Sequence, residues 1–112
     1  MKFSVQQRDE VVIITVDGEM VGGPDATLLS EKLRDLIDDR RNKIIVDMAK
    51  VNFMNSSGLG ILIGGLTTVR NSGGDIKVLH LAKKLRELLR ITKLDRVFEI
   101  YEDEEEAIDS FS

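Results

Sequence analysis

The chain has no cysteine, which excludes a disulfide framework and a thiolate metal site and fits a reducing cytoplasm. It has no excess of positive charge either: sixteen Lys and Arg stand against twenty Asp and Glu, a net charge of -4. A phosphate-backbone binder shows a basic balance or patch, so nucleic acid is not an expected partner. No apolar run is long enough to span a bilayer. The first residues, "MKFSVQQRDE", lack the apolar core of a signal peptide. A cytoplasmic protein with no membrane partner is therefore expected. Histidine is nearly absent, and the single one, His80, follows a predicted strand, where a lone imidazole is structural. No Ser-His-Asp set is suggested. "GLGILIG" spaces its glycines G-x-G-x-x-x-G, which is not the dinucleotide pattern, and no Gly-Lys-Ser/Thr ending supplies a phosphate-gripping loop. These absences argue against an enzyme, and no cofactor or metal is expected.

What is present reads as one globular domain spanning 1–112. Hydrophobic residues are 42% and charged ones 32%, too apolar for a disordered chain. A chain of this length buries roughly two-thirds of its unfolded surface, enough for a core without staples. Lys2 to Arg8 alternates weakly, and Val11 to Val16 is a β-branched run. With Asp9-Glu10 between them, the two predict a tight antiparallel hairpin at a sheet edge. Gly22, Gly23 and Pro24 mark a loop, and Pro24-Asp25 suits the first turn of a helix running to about Arg40. "KIIVDM" predicts a buried strand ending near Asp47. A second helix runs from the Asn55 region to about Asn71. Ile76 to Leu79 is a third central strand, Leu81, Leu85, Leu88 and Leu89 mark another amphipathic helix, and Val97 to Ile100 is the last strand. The acidic "EDEEEAIDSF" suits a final helix, because early carboxylates favour the positive end of its dipole. Strands alternating with helices give an α/β fold with a mostly parallel sheet.

The helix opening at "NSSGLGILIGG" is unusual. With Ser57 at zero on a helical wheel, Leu59, Leu62, Ile63, Leu66 and Val69 lie within about 60° of the opposite pole and form the buried stripe. Ser57, Ile61, Gly64 and Thr68 then line the outward face, with Gly60 and Gly65 on its flanks. None is charged. Glycine inside a helix costs roughly 1 kcal/mol relative to alanine, so three between Gly60 and Gly65 suit a face that something must approach closely. They face either a docking partner or a neighbouring loop of the same domain. Ser56 and Ser57 sit where the helix starts. A serine there is a favoured cap, and the free N–H groups also make the place hospitable to an anion.

The stretch "VDMAKVNFMNSSGLGILIGGL" resembles the signature of the STAS domain, in particular that of bacterial anti-sigma-factor antagonists. "GE" at Gly18-Glu19 and the later "GGDIKVLHLAKKLRELLRITKLDRVFEIY" extend the likeness over nearly the whole chain. The resemblance implies a mixed sheet of four to five strands, an antiparallel N-terminal hairpin and about four helices. It implies a non-catalytic switch that binds an anti-sigma factor with serine kinase activity and so frees a sigma factor. The kinase would phosphorylate Ser57, the second serine of the motif, and a serine phosphatase would reset the switch. Partner contacts would come from Asn55, Ser56, Ser57, Gly58, Gly60, Ile61, Gly64, Gly65, Thr68 and Asp25, in a monomer that joins hetero-complexes.

Two positions depart from the family pattern. Asn55 stands where relatives often have Asp, two residues before the phosphoacceptor. Val21 stands where an Asp often follows "GE", and Asp25 compensates only if the loop is shifted. An alternative reading is a phosphorylation-independent scaffold or adaptor in a signalling or transporter complex.

Overall fold

A computed structural model describes all 112 residues. β1 (Lys2–Arg8) and β2 (Val11–Asp17) form the expected antiparallel hairpin, with Arg8 opposite Val11. The two turn residues are Asp9 and Glu10, and Asp9 takes the left-handed conformation (φ 55°) that a two-residue hairpin turn demands. From β2 onward every strand is parallel to its neighbour: β3 (Lys43–Lys50), β4 (Asp75–Leu79) and β5 (Ile100–Tyr101). The sheet order is β1-β2-β3-β4-β5. α1 (Pro24–Asp38), α2 (Ser56–Asn71) and α3 (Lys83–Ile91) connect the parallel strands, and α4 (Glu104–Asp109) closes the chain.

The crossovers all advance the same way along the sheet, so their helices share one face. That face holds the main core, in which Leu29, Leu33 and Leu36 of α1, Leu59, Leu62 and Leu66 of α2, and Leu85 and Leu89 of α3 pack on Ile14, Val46 and Val78. Each such side chain contributes about 1.5–3 kcal/mol when fully buried. The opposite face is covered only by α4, whose Ala107 and Ile108 sit on Val11, Ile13, Ile45 and Leu79.

Three boundaries differ from expectation. α1 stops at Asp38, because Arg40 turns left-handed (φ 60°) and the Arg41 amide bonds back to the Leu36 carbonyl at 2.7 Å. β3 continues past Asp47 to Lys50, which pairs with Asp17 beyond an irregularity in the ladder. The last strand is not Val97 to Ile100. A left-handed Lys93 (φ 63°) ends the helical region, a 3-10 turn follows at Leu94–Arg96, and Phe98 plugs the core. The Val97 carbonyl is taken by Arg70 at 2.9 Å. Pairing with β4 therefore starts only at the Glu99 carbonyl, which accepts from Val78.

Lys77 is an exception to the apolar interior. It lies in mid-β4 and is only 5% exposed. Its ammonium donates to the Ser110 hydroxyl at 2.7 Å and carbonyl at 3.0 Å, lies 3.5 Å from Glu99, and sits 4.3 Å from the centre of the Phe111 ring. A buried cation is tolerated only when so paired, and the pairing fastens the end of α4 to the sheet. Arg8 fastens its start through Glu104 and Glu105. Beside Lys77, the Tyr101 hydroxyl donates to Glu99 at 2.9 Å. The Ser110 hydroxyl lowers the phenol pKa. The bond to Glu99, desolvation and the charges of Glu99 and Glu106 outweigh it, so the net direction is upward from 10.0.

A phenol that keeps its proton longer when folded lends stability that is full below its unfolded pKa and is lost as pH rises through the folded one. Tyr101 is the only tyrosine and there is no tryptophan, so the ultraviolet absorbance of tyrosinate reports it alone. The native titration midpoint is expected above that of the urea-unfolded chain, and Glu99→Gln is expected to lower it.

Candidate functional site

The start of α2 is held by the segment that follows β2. The Gly18 amide bonds to the Lys50 carbonyl, Met20 to Phe53, and Asn55 back to Met20, at 3.2, 3.0 and 3.3 Å. Met20 and Met54 form a parallel bridge, both with buried side chains. Two strand-like segments thus run side by side into the helix. Gly58, in the first turn, lies directly on this ribbon: a Cβ there would sit 1.7 Å from the Met20 carbonyl oxygen. No other residue fits.

The helix cap is Asn55, not either serine. Asn55 is extended (φ -100°, ψ -173°), and its Oδ1 accepts from the Gly58 amide at 2.9 Å. This satisfies one of the free N–H groups at the helix start. It also accounts for the departure at this position, since an amide oxygen caps as well as a carboxylate does. Ser56 and Ser57 become the first two helical residues, both exposed. The Ser57 hydroxyl is in no hydrogen bond within the chain. Its Cβ lies beneath the loop glycine Gly22 (φ 93°), where an added side-chain carbon would approach it to 3.2 Å. A left-handed glycine opposite the serine keeps this approach open.

A profile of the STAS domain matches residues 2–107. The chain belongs to the STAS domain family. It is 28% identical over 100 residues to the anti-sigma-B factor antagonist of Bacillus subtilis, covering 89% of this chain and 90% of the relative. Among solved structures, a Thermotoga maritima protein superposes with a TM-score of 0.86 at 28% identity, covering 96% of this chain and 92% of that one. The Bacillus cell fate determinant SpoIIAA in its phosphorylated form shares the fold, with a TM-score of 0.77 at 24% identity over 99% of this chain and all of that one.

Along this STAS helix the predicted outward residues divide. Ser57, Gly60, Gly64 and Thr68 are exposed and Ile61 is half-buried. Around Gly60 and Gly64 an added Cβ would meet nothing within 4 Å. Gly65 is a correction: it is buried, with its absent Cβ 2.9 Å from Leu33 of α1 and 3.5 Å from Ile76. It lets α1 and α2 close together, so the reading in which a glycine serves its own domain holds for Gly65 and Gly58. It does not hold for Gly60 and Gly64. Thr68 bonds back to the Gly64 carbonyl at 2.8 Å, and beside them a shallow groove opens toward Ser30 and Arg34 of α1. Asp25 lies in the first turn of α1, and its carboxylate takes the Met1 amino group at 3.0 Å.

Sequence reasoning missed Phe53 and took Val21 only as a departure from the family pattern, not as an exposed apolar residue. Val21 is 42% exposed and Phe53 is 46% exposed, and they sit on the paired segments on either side of the buried Met20 and Met54. The alternation of buried and exposed residues would have marked them had these loops been read as strands. His80 pairs through Nδ1 with Asp47 at 3.0 Å. Asp47 alternates with Val46 and Met48 of the main core, so the pair is on the other side of the sheet from α2.

Gly60→Ala and Gly64→Ala are each expected to stabilise the free protein by up to about 1 kcal/mol, the helix-propensity difference. Gly58→Ala is expected to destabilise it by about 3 kcal/mol or to prevent folding, because the backbone itself must move. Urea denaturation of the three variants checks both signs.

Proposed function

We propose that this STAS domain is an anti-sigma factor antagonist whose α2 face docks an anti-sigma factor, and whose docking is switched off by phosphorylation of Ser57. One observation carries the reading: an exposed, unbonded hydroxyl opens a helix whose outward residues Ser57, Gly60, Ile61, Gly64 and Thr68 are uncharged and include two glycines that nothing in the chain requires. A face that gives up about 1 kcal/mol per glycine suits a partner backbone or bulky side chain lying directly against it. The name of the Bacillus subtilis relative supports the class of partner. A structural neighbour that exists in a phosphorylated form supports the switch.

The physics of the switch follows from the position. A phosphate on Ser57 adds about -1.5 to -2 charge at the N-terminal end of α2. The free protein tolerates it, since helix N-terminal amides and the dipole favour an anion. A partner packed on the neutral face would have to desolvate that charge without a counter-ion, which is unfavourable. The antagonist itself does no chemistry: Ser57 is a phosphoacceptor, an anti-sigma factor with serine kinase activity transfers the terminal phosphoryl group of ATP to its hydroxyl and releases ADP, and a serine phosphatase hydrolyses the ester to free phosphate. No helix of the chain is long and apolar enough to cross a membrane.

The test is a quantitative pull-down from the source organism with wild-type, Ser57→Ala and Ser57→Asp baits. Wild type and Ser57→Ala are expected to retain a kinase-type anti-sigma factor, and only wild type should take up phosphate from ATP. Ser57→Asp is expected to weaken retention by about tenfold, corresponding to 1.4 kcal/mol, and by less than a phosphate does. Equal retention by all three baits would leave α2 as a docking face without a charge gate, the scaffold reading.

A further inference from the structure

Along α3 and the turn that follows it lies a surface the α2 switch does not use. Between Lys83 and Arg96 there are six basic side chains and only two acidic ones, Glu87 and Asp95, in a chain whose net charge is -4. Arg86 is engaged by Glu102 and Arg90 by Glu87. Lys83, Lys84, Lys93 and Arg96 are exposed and enter no ion pair. In their midst Ile91 is 66% exposed, the most exposed large hydrophobic side chain of the protein. Lys84, half-buried Leu88 and Ile91 recur at i, i+4 and i+7, so they share one flank of α3. Lys93 follows two residues after Ile91, and the 3-10 turn at Leu94–Arg96 packs against α3.

We propose that this flank is a second docking surface, and that its occupant is an acidic protein segment with an apolar residue among its carboxylates. Unpaired cations around a solvated Ile match the charged rim and apolar centre of a protein interface. A nucleic-acid backbone offers no apolar group for Ile91. An extended anionic bilayer would also meet Glu102 and Glu87, which lie against Arg86 and Arg90 of this helix. A short segment samples only charges within about one Debye length, roughly 10 Å. Because the helices run antiparallel to the strands they connect, Ile91, Lys93 and Arg96 lie at the end of the sheet opposite Ser57. The part of the surface around Ile91 can therefore be occupied while α2 is docked, and the proposal does not depend on the phosphorylation reading.

The experiment is an NMR titration of the isotope-labelled full chain with a synthetic peptide of alternating Glu and Leu. Shifts are expected to centre on Lys84, Ile91, Lys93 and Arg96 and to fade with added salt. Lys93→Glu/Arg96→Glu is expected to weaken binding by about tenfold, from two opposed exposed pairs, and Ile91→Asp by a comparable factor. Ser57→Asp should leave it unchanged. All the altered side chains are exposed, and the spectra of the free variants confirm that they fold. The proposal is overturned if no shifts appear, or if they spread equally to Lys2, Lys50 and Arg40. It is also overturned if an all-Glu peptide binds as tightly, or if vesicles of equal parts phosphatidylglycerol and phosphatidylcholine bind while the peptide does not.

Discussion

Everything that makes Ser57 available depends on the contact between Gly58 and the Met20 carbonyl. With no side chain at 58, the first turn of α2 seats on the ribbon formed by the segments around Met20 and Met54. That seating lets Asn55 bond to Met20 on one side and cap the helix on the other. With the cap role filled by Asn55, neither serine hydroxyl is consumed by the fold. Gly22 then lies over Ser57 without covering it. Any side chain at 58 would lift the helix start and undo all three arrangements together.

Two glycines in the same helix therefore do opposite work from two others. Gly58 and Gly65 are consumed inside the domain, one by a backbone and one by α1. Gly60 and Gly64 open onto solvent, where the helix is weaker for having them. An intrinsic cost with no internal compensation points outward. The same logic applies to Val21 and Phe53: apolar side chains on a rigid, hydrogen-bonded ribbon that the core does not use.

The molecule is also polarised across its sheet. The face bearing α1, α2 and α3 has a large apolar core and ends in the basic flank of α3. The other face is covered only by α4, held at its start by Arg8 and at its end by buried Lys77. The short helix is thus placed both by its two buried apolar residues and by the polar and cation–π contacts of Lys77 with Ser110 and Phe111.

The strands and helices were largely legible because period-2 and period-3.6 patterns follow directly from where side chains point. The exposed positions Ser57, Gly60, Gly64 and Thr68 came from such patterns, while the start of α1 came from the turn chemistry of Gly22, Gly23 and Pro24. The last strand was misplaced because Val97 and Phe98 look like strand residues, whereas Phe98 plugs the core and the Val97 carbonyl is taken by Arg70. By itself the sequence determined the alternation of elements, the uncharged face of α2 and the serine at its start, since these depend on local spacing. Only the tertiary structure decided that Asn55 is the cap, that Gly65 is internal while Gly60 is not, and that Lys77 is buried. Each depends on what a distant segment brings within a few ångströms, and residue type at one position does not encode its neighbour across the fold.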